Sequence, residues 1–508
     1  MKRASTAWKR ASTACAVLLI MLGAWFWSRQ REPRSLPTAS IALATGPHAC
    51  NVLLLVVDTL RANRLSCYCY PRATSPNIDR LAQRGTLYRD NHSQSCWTLT
   101  SMISMMTSKS MIAEAKSLPP SVPCLAQVLH DRGFETAAFI ANPVVGKTAG
   151  FQRGFDVFVV REGDDQKDGW PSSDGIALAN DFSTWYAQRA RHDDGGREPR
   201  SFFAWVQFID PHQPYEPDPR HRLFHEPRAD KELLLPRWRE AWPRVGELSP
   251  GMTTLSFDQC VDKMLDDSNL YDGEIKAVDD GVGRILAELE HAGEMGDTLV
   301  ILCADHGEML YEHLQQPLIV RENLEFYGGL PNGLIDLFGC GHRPWFYEDL
   351  WNTPLIIAGP GMPAGVERSG MPANLDIFPT CLDALDIPLP SGLEGVSLWR
   401  GVEPERTEVF AYGHGTSAMI ERSGKKLIVN PRRYFDLEKD KPEPLQLYDG
   451  AHDPHEEHDI ASAHPDETAR MRRKVADWIA RSTRGWSGTY TPEQLKVLRR
   501  LGYTGEDD

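Results

Sequence analysis

Residues 51–61 read Asn51-Val52-Leu53-Leu54-Leu55-Val56-Val57-Asp58-Thr59-Leu60-Arg61, an unbroken apolar run from Val52 to Val57 that stops at a carboxylate. A strand with one wet face alternates apolar and polar side chains. A continuous aliphatic run instead fits a parallel strand covered on both faces. The same grammar returns in ETAAFIAN (Glu135–Asn142), SFFAWVQFIDPH (Ser201–His212), DTLVILCADHGE (Asp297–Glu308) and TPLIIAGPG (Thr353–Gly361). Helical patterns separate these runs, among them SPNIDRLAQRG (Ser75–Gly85) and YDGEIKAVDDGVGRILAELE (Tyr271–Glu290). This alternation predicts an α/β domain built on a largely parallel sheet.

Three of the strands end in residues suited to metal binding or proton transfer: Asp58, then Asp210 with His212, then Asp305 with His306. In open α/β sheets ligands bind beyond the carboxyl ends of the strands. These residues are therefore expected at one place, although about 250 positions separate the first from the last. A single strand-end Asp is more often a turn or helix-capping residue. Repetition at three strand ends favours a site.

The 508 residues, 41% of them hydrophobic, supply a large core, and the length suggests two or three domains. A formal charge of −15, without a Lys/Arg stripe interleaved with aromatics, argues against a nucleic-acid partner. The longest continuously apolar run is Ala14–Trp27. Lys2, Arg3, Lys9 and Arg10 precede it as a basic n-region would, and Arg29, Arg31 and Arg34 follow. No small-x-small cleavage site follows directly, and Trp25 and Trp27 suit an interfacial belt. The pattern predicts an N-terminal signal-anchor over 1–30, a linker over 31–48, and a catalytic body held outside the cytoplasm, at the cell membrane or secreted if the segment is cleaved. That body is expected as a catalytic domain over 49–400 and a C-terminal subdomain over 401–508. The latter contains the strand-like EVFAYGHG and KKLIVNP and a charged helix over Glu467–Arg481. Arg189–Arg200 and Ala229–Ser249 read as exposed loops. The ten cysteines form no CxxC pair and give no metal signature; Cys303 lies in a strand-like run as packing, and some others are available for disulfides.

Several motifs, taken in order, resemble the sulfatase family of the alkaline-phosphatase superfamily. They are VVDTLRANRLSCYCYPRATSPNIDRLAQRG, SCWTLTSMISMMTS, GFETAAF with GFQRGFDVF, FIDPHQPY, ADHGEMLYEH, GHRPWFYEDLWNTPLIIAGPG, and the C-terminal LQLYDGAHDPHEEHDIA and LRRLGY. The resemblance covers about residues 50–505. It implies a sulfatase-like α/β sandwich with a mostly parallel central sheet and a small C-terminal α+β subdomain.

Family sulfatases carry a cysteine, converted to formylglycine, in Cys/Ser-x-Pro-Ser-Arg. A helix follows that ends in Leu-x-Thr-Gly-Arg at offsets seven to eleven. With Thr98 at the nucleophile position, Ser101 falls at offset three, Met105 and Met106 on the hydrophobic pair, Thr107 at nine and Lys109 at eleven. With Cys96 there, Thr98 falls on the proline, Thr100 on the first arginine and Thr107 on the last. The register therefore implies Thr98 as nucleophile at a helix N-terminus, with Cys96 as a bystander. An N-capping Thr98 without chemistry is the competing reading.

The resemblance further implies a divalent cation on Asp58, Asp305 and His306, able to activate a hydroxyl. The family's oxygen-only sites take Ca²⁺, whereas an imidazole shifts preference towards Mn²⁺ or Zn²⁺. His212 matches the family histidine that contacts the sulfate and protonates the leaving group, and His342 stands where relatives have Lys or His. Lys109 is a candidate anion contact or a solvated helix end. Glu308, Glu312 and His313 are expected to brace the metal loop through hydrogen bonds. Departures are marked: Thr59 replaces a second metal Asp, Thr100 the proline, Met102 the arginine, and Ala141 and Pro143 a Lys and a His. Cys69 and Ser108 replace glycines. Formylglycine chemistry is thus not expected. The 26 residues Leu314–Gly339 lengthen the stretch before His342 and are expected to shape the pocket.

The implied activity is hydrolysis of sulfate esters, on a small anionic ester or a sulfated glycan. A phosphodiester or phosphonate ester hydrolase, or a phosphoethanolamine-type transferase, is the nearest alternative. A degenerate member that binds anions or glycans without turnover is the third.

Overall fold

The central sheet orders eight strands as β10-β2-β9-β6-β1-β5-β3-β4. In the computed structural model these are β1 (Asn51–Val57), β2 (Gly85–Tyr88), β3 (Glu135–Ile140), β4 (Val157–Val160), β5 (Phe202–Phe208), β6 (Thr298–Ala304), β9 (Leu355–Ala358) and β10 (Val366–Arg368). The structure describes residues 48–111, 116–161, 175–191, 200–226, 231–248, 256–313, 340–342, 345–430, 444–482 and 491–500. Strand β9 pairs antiparallel with β2 and β6, and the other pairings are parallel. The expected largely parallel sheet is therefore present.

The unbroken apolar run of β1 has the predicted cause. Leu53, Leu55 and Val57 enter one core cluster, and Val52, Leu54 and Val56 the other. The first cluster is closed by α1 (Pro76–Arg84), through Ile78 and Leu81, and by two longer helices. These are α3 (Gly175–Arg191), through Leu178 and Phe182, and α5 (Phe257–Ala292), through Val278 and Val282. The second is closed by α2 (Thr98–Thr107), whose Met102, Ile103, Met105 and Met106 point at the sheet. Each such side chain removed from water is worth roughly 1.5–3 kcal/mol, so the two-sided burial is what selects a strand here.

Two predicted loops differ. Residues 231–248 form a helix, α4, despite Pro236 and Pro243 inside it. Leu234, Trp238 and Ala241 recur at helical spacing and bury in the first cluster, which outweighs the local breakers. Helix α3 runs on to Arg191, and Arg189 is buried against the Phe202 ring with its Nε 3.2 Å from Glu135. Strands β2 and β4 carry too little sequence pattern to announce themselves. Gly85 fits β2 because a Cβ there would stand 2.3 Å from the Ile357 carbonyl oxygen.

Beyond the ribbon β7 (Met309–Leu310) with β8 (Cys340–Gly341), the C-terminal part forms a second sheet. Its strands are β11 (Glu408–Gly413), β12 (Thr416–Glu421), β13 (Lys425–Val429) and β14 (Leu445–Asp449), all antiparallel. One face carries α6 (Pro465–Arg481), with Met471 and Val475 against Met419, Leu427 and Leu447. The other packs Val409, Ala411 and Ala418 with Cys96, Trp345 and Trp351 of the larger body. The nine described cysteines are free thiols, so none of the disulfides allowed by the sequence joins two of them, and Cys303 is buried in β6 as expected. The anchor segment, the linker and Leu314–Gly339 lie outside the described residues. Among the described residues no helix is long and apolar enough to cross a membrane.

Candidate active site

Strands β6 and β5 flank β1, with Val57 opposite both Ala304 and Phe208. The next residue of β1 is Asp58 and of β6 is Asp305, so sheet register alone sets the two carboxylates side by side. Asp305 Oδ1 accepts the amide hydrogens of His306, at 2.9 Å, and of Thr59, at 3.3 Å. Thr59 adopts a left-handed φ of 55°. Asp58 Oδ2 accepts from Asn142 Nδ2 at 2.5 Å, and the Asn142 Oδ1 is held by the Val144 amide at 2.9 Å.

The remaining oxygens, Asp58 Oδ1 and Asp305 Oδ2, are buried without a hydrogen-bond partner. They lie 3.7 and 3.6 Å from His306 Nε2. His306 Nδ1 donates to the Gly307 carbonyl at 2.9 Å, which turns Nε2 inward. Gly307 lets the loop approach Asp349, whose carbonyl oxygen would be 2.0 Å from a Cβ at that position. Burial pushes the Asp58 carboxyl well above its usual range and the Asp305 charge pushes it further; burial likewise raises Asp305. Two orphaned carboxylate oxygens and an imidazole nitrogen, all within 4.8 Å of one another, fit a divalent cation, which would satisfy the three atoms together.

Thr98 is the first residue of α2, and its hydroxyl donates to His306 Nε2 at 3.2 Å. The N-cap residue Trp97 supplies no side-chain cap, so the helix end is directed at the same group of atoms. Ser101 Oγ donates to the Asp305 carbonyl at 2.7 Å and pins α2 to the end of β6. Cys96 is buried in the cluster shared with the second sheet, where a Cβ on Gly413 would stand 3.0 Å from its sulfur. The hydroxyl that reaches the candidate ligands is that of Thr98.

His212 follows β5, its Nδ1 donating to the Gln213 carbonyl at 2.5 Å. Its ring lies 4.6 Å from that of His342, which in turn lies 4.6 Å from His306. Burial, reinforced by His342, lowers His212 to about 3, so the ring is neutral at ordinary pH. Glu308 joins this group. Its Oε2 accepts from His342 Nδ1 at 3.1 Å and its Oε1 from Tyr215 at 3.1 Å, and burial raises its carboxyl to about 7.

Lys109 is not brought to the site. It lies past the far end of the ten-residue α2, roughly 15 Å along the axis from Thr98, and its ammonium donates to the Gly392 carbonyl. Asp210 is buried beside Glu274, outside the candidate metal group. Glu312 does brace the loop: its Oε1 accepts from Arg61 at 2.7 Å, and Arg61 also donates to the Glu308 carbonyl at 3.1 Å and pairs with Asp349. Arg61 and Asn142 are the residues that sequence reasoning missed. Asn142 closes the strand-like run ETAAFIAN, a position the strand-end argument covers, whereas Arg61 is set by partners far away in the chain and leaves no local signal.

The family model described as Sulfatase matches residues 50–387. The chain is 25% identical over 483 residues to the choline-sulfatase of Rhizobium meliloti (strain 1021), covering 84% of this chain and 86% of that protein. It is also similar to the solved phosphonate monoester hydrolase of Agrobacterium radiobacter, with TM-score 0.61 and 21% identity, covering 85% of this chain and 95% of that one. A second solved structure, a complex with its substrate D-glucosamine-2-N,6-O-disulfate, has TM-score 0.62 at 18% identity, covering 91% of this chain and 99% of that chain.

Proposed function

As the chain belongs to the sulfatase family, we propose that it is a divalent-metal-dependent hydrolase of sulfate esters with Thr98 as nucleophile. The observation that carries this reading is the Thr98 hydroxyl 3.2 Å from His306 Nε2, next to two unpartnered carboxylate oxygens. Asp58, Asp305 and His306 would hold the cation, which when bound supplies Lewis-acid polarisation of the ester and lowers the pKa of a hydroxyl. The N-terminus of α2 presents amide hydrogens and its positive end to charge developing on the ester oxygens. His212 and His342 line the same space: His212, neutral and desolvated with its Nδ1–H given to the Gln213 carbonyl, presents a bare Nε2 and is assigned to accepting a proton as the nucleophile attacks and returning it to the leaving alcohol, and His342 is assigned to gripping the anion in its protonated form. The donor set of two carboxylates and one imidazole favours Mn²⁺ or Zn²⁺ over Ca²⁺.

A small sulfate ester or a sulfated sugar is the proposed substrate, in keeping with what the relatives' names describe. Phosphonate or phosphodiester hydrolysis is the second reading, favoured by the imidazole in the candidate metal set and by a threonine in place of the formylglycine precursor. We also propose that Ala14–Trp27 anchors the body outside the cytoplasm, with fractionation of tagged full-length chain as the check. The main test is turnover of aryl sulfate, phosphodiester and phosphonate substrates by metal-loaded wild type and Thr98→Ala. Loss of about three orders of magnitude or more in the variant, with metal content retained, is expected. Activity that survives Thr98→Ala would rule the nucleophile out.

A further inference from the structure

The chain leaves the metal loop through β7 and returns through β8, pairing Met309 with Gly341 and Leu310 with Cys340. Gly341 turns with a φ of 101°, in the left-handed region, and His342 follows. The return is guided by side chains from the β5 loop: Gln213 Nε2 donates to Cys340 Sγ at 3.1 Å, and Tyr215 Oη lies 3.5 Å from the same sulfur. Tyr215 also donates to Glu308 Oε1, so the two oxygens of this fully buried carboxylate are committed to two different rings.

A carboxylate that accepts from an imidazole Nδ1–H fixes both the ring plane and the tautomer. The ring so fixed sits 4.6 Å from His306, 4.6 Å from His212 and 6.5 Å from Trp97, the residue before Thr98. We propose that Glu308 is the positioning residue for His342: it acts on the ester through that imidazole and not through the cation. The inference rests on the ester-hydrolase reading above and assigns Glu308 a job within it. In the sequence Glu308 was one of several braces of a loop. The geometry makes it specific to one histidine, because its two side-chain acceptor bonds go to His342 and to the tyrosine that steadies the returning strand.

The test is a double-mutant cycle with Glu308→Gln and His342→Asn, read as kcat/KM on the best ester substrate and as affinity for inorganic sulfate by calorimetry. Metal content and melting temperature are followed in all four proteins. Glu308→Gln alone is expected to lose about 10–100-fold in kcat/KM with metal content unchanged. In the His342→Asn background it is expected to lose nothing further, on either readout. Losses that multiply in the double variant, or a Glu308→Gln protein that has lost its metal in proportion to its activity, overturn the proposal. A wild type without turnover of any ester strikes the hydrolase reading instead, since sulfate affinity still reads the cycle.

Discussion

At the residue scale, the candidate site depends on groups whose surroundings override their ordinary chemistry. His313 shows the same effect away from the metal group. Its ring stacks on Tyr347 at 3.7 Å and burial lowers it to about 3, against the opposing charge of Glu312. The folded protein therefore keeps His313 neutral while the unfolded chain takes up a proton below about pH 6.5, so stability is lost as pH falls from that value towards 3. His313→Phe is expected to flatten this decline by up to ~1.4 kcal/mol per pH unit, measured by urea unfolding between pH 7 and pH 4. Parallel curves for variant and wild type would refute it. The sequence was most legible where chemistry and spacing coincide. Thr98 could be chosen over Cys96 because only one register aligned the following helix. Cys69 and Ser108, noted there as replacing glycines, do adopt left-handed φ of 73° and 53°. Arg61 was illegible because a buried guanidinium is defined by its partners, Glu312 and Asp349, which lie some 250 to 290 positions away.

At the scale of elements, unbroken apolar runs revealed the central strands, since two-sided burial leaves a mark on every residue. The four-residue strands β2 and β4, and a helix interrupted by two prolines, have marks too short or too contradictory to read. The join between the two sheets was also hidden. The Tyr412 amide donates to the Gln94 carbonyl at 3.0 Å, and the absent side chain of Gly413 makes room for Cys96 and Ser95. The ring of His414, at the hairpin tip, lies 5.4 Å from that of Trp97. Gly413→Val is expected to destabilise by roughly 1–3 kcal/mol through overpacking and to lower activity by displacing Trp97 and Thr98. Adding Cys96→Ala is expected to recover part of both losses, as read by melting and by turnover. If the second change gives no recovery, the contact does not transmit the strain.

At the scale of the whole molecule, the fold holds two desolvated carboxylates against each other, a cost that a bound cation would offset. Adding Mn²⁺ or Zn²⁺ to chelator-stripped protein is expected to raise the melting temperature, since binding at a hundredfold excess over Kd contributes about 2.7 kcal/mol. Asp305→Asn is expected to abolish that metal-induced rise while leaving the stripped protein as stable as wild type or more so. An equal metal-induced rise in the variant would place the cation elsewhere.

The contact between Gln94 and Tyr412 also has a consequence in time. A ribosome delivers Asp58 and Thr98 early and the second sheet roughly 300 residues later, an interval of about 15–60 s at common rates of synthesis. Throughout that interval the segment Gln94–Trp97 lacks one of its walls. The nascent chain can carry Asp58 and the Thr98 hydroxyl, the candidate ligand and candidate nucleophile, before that wall is built, so the proposed chemistry would wait for the last quarter of translation.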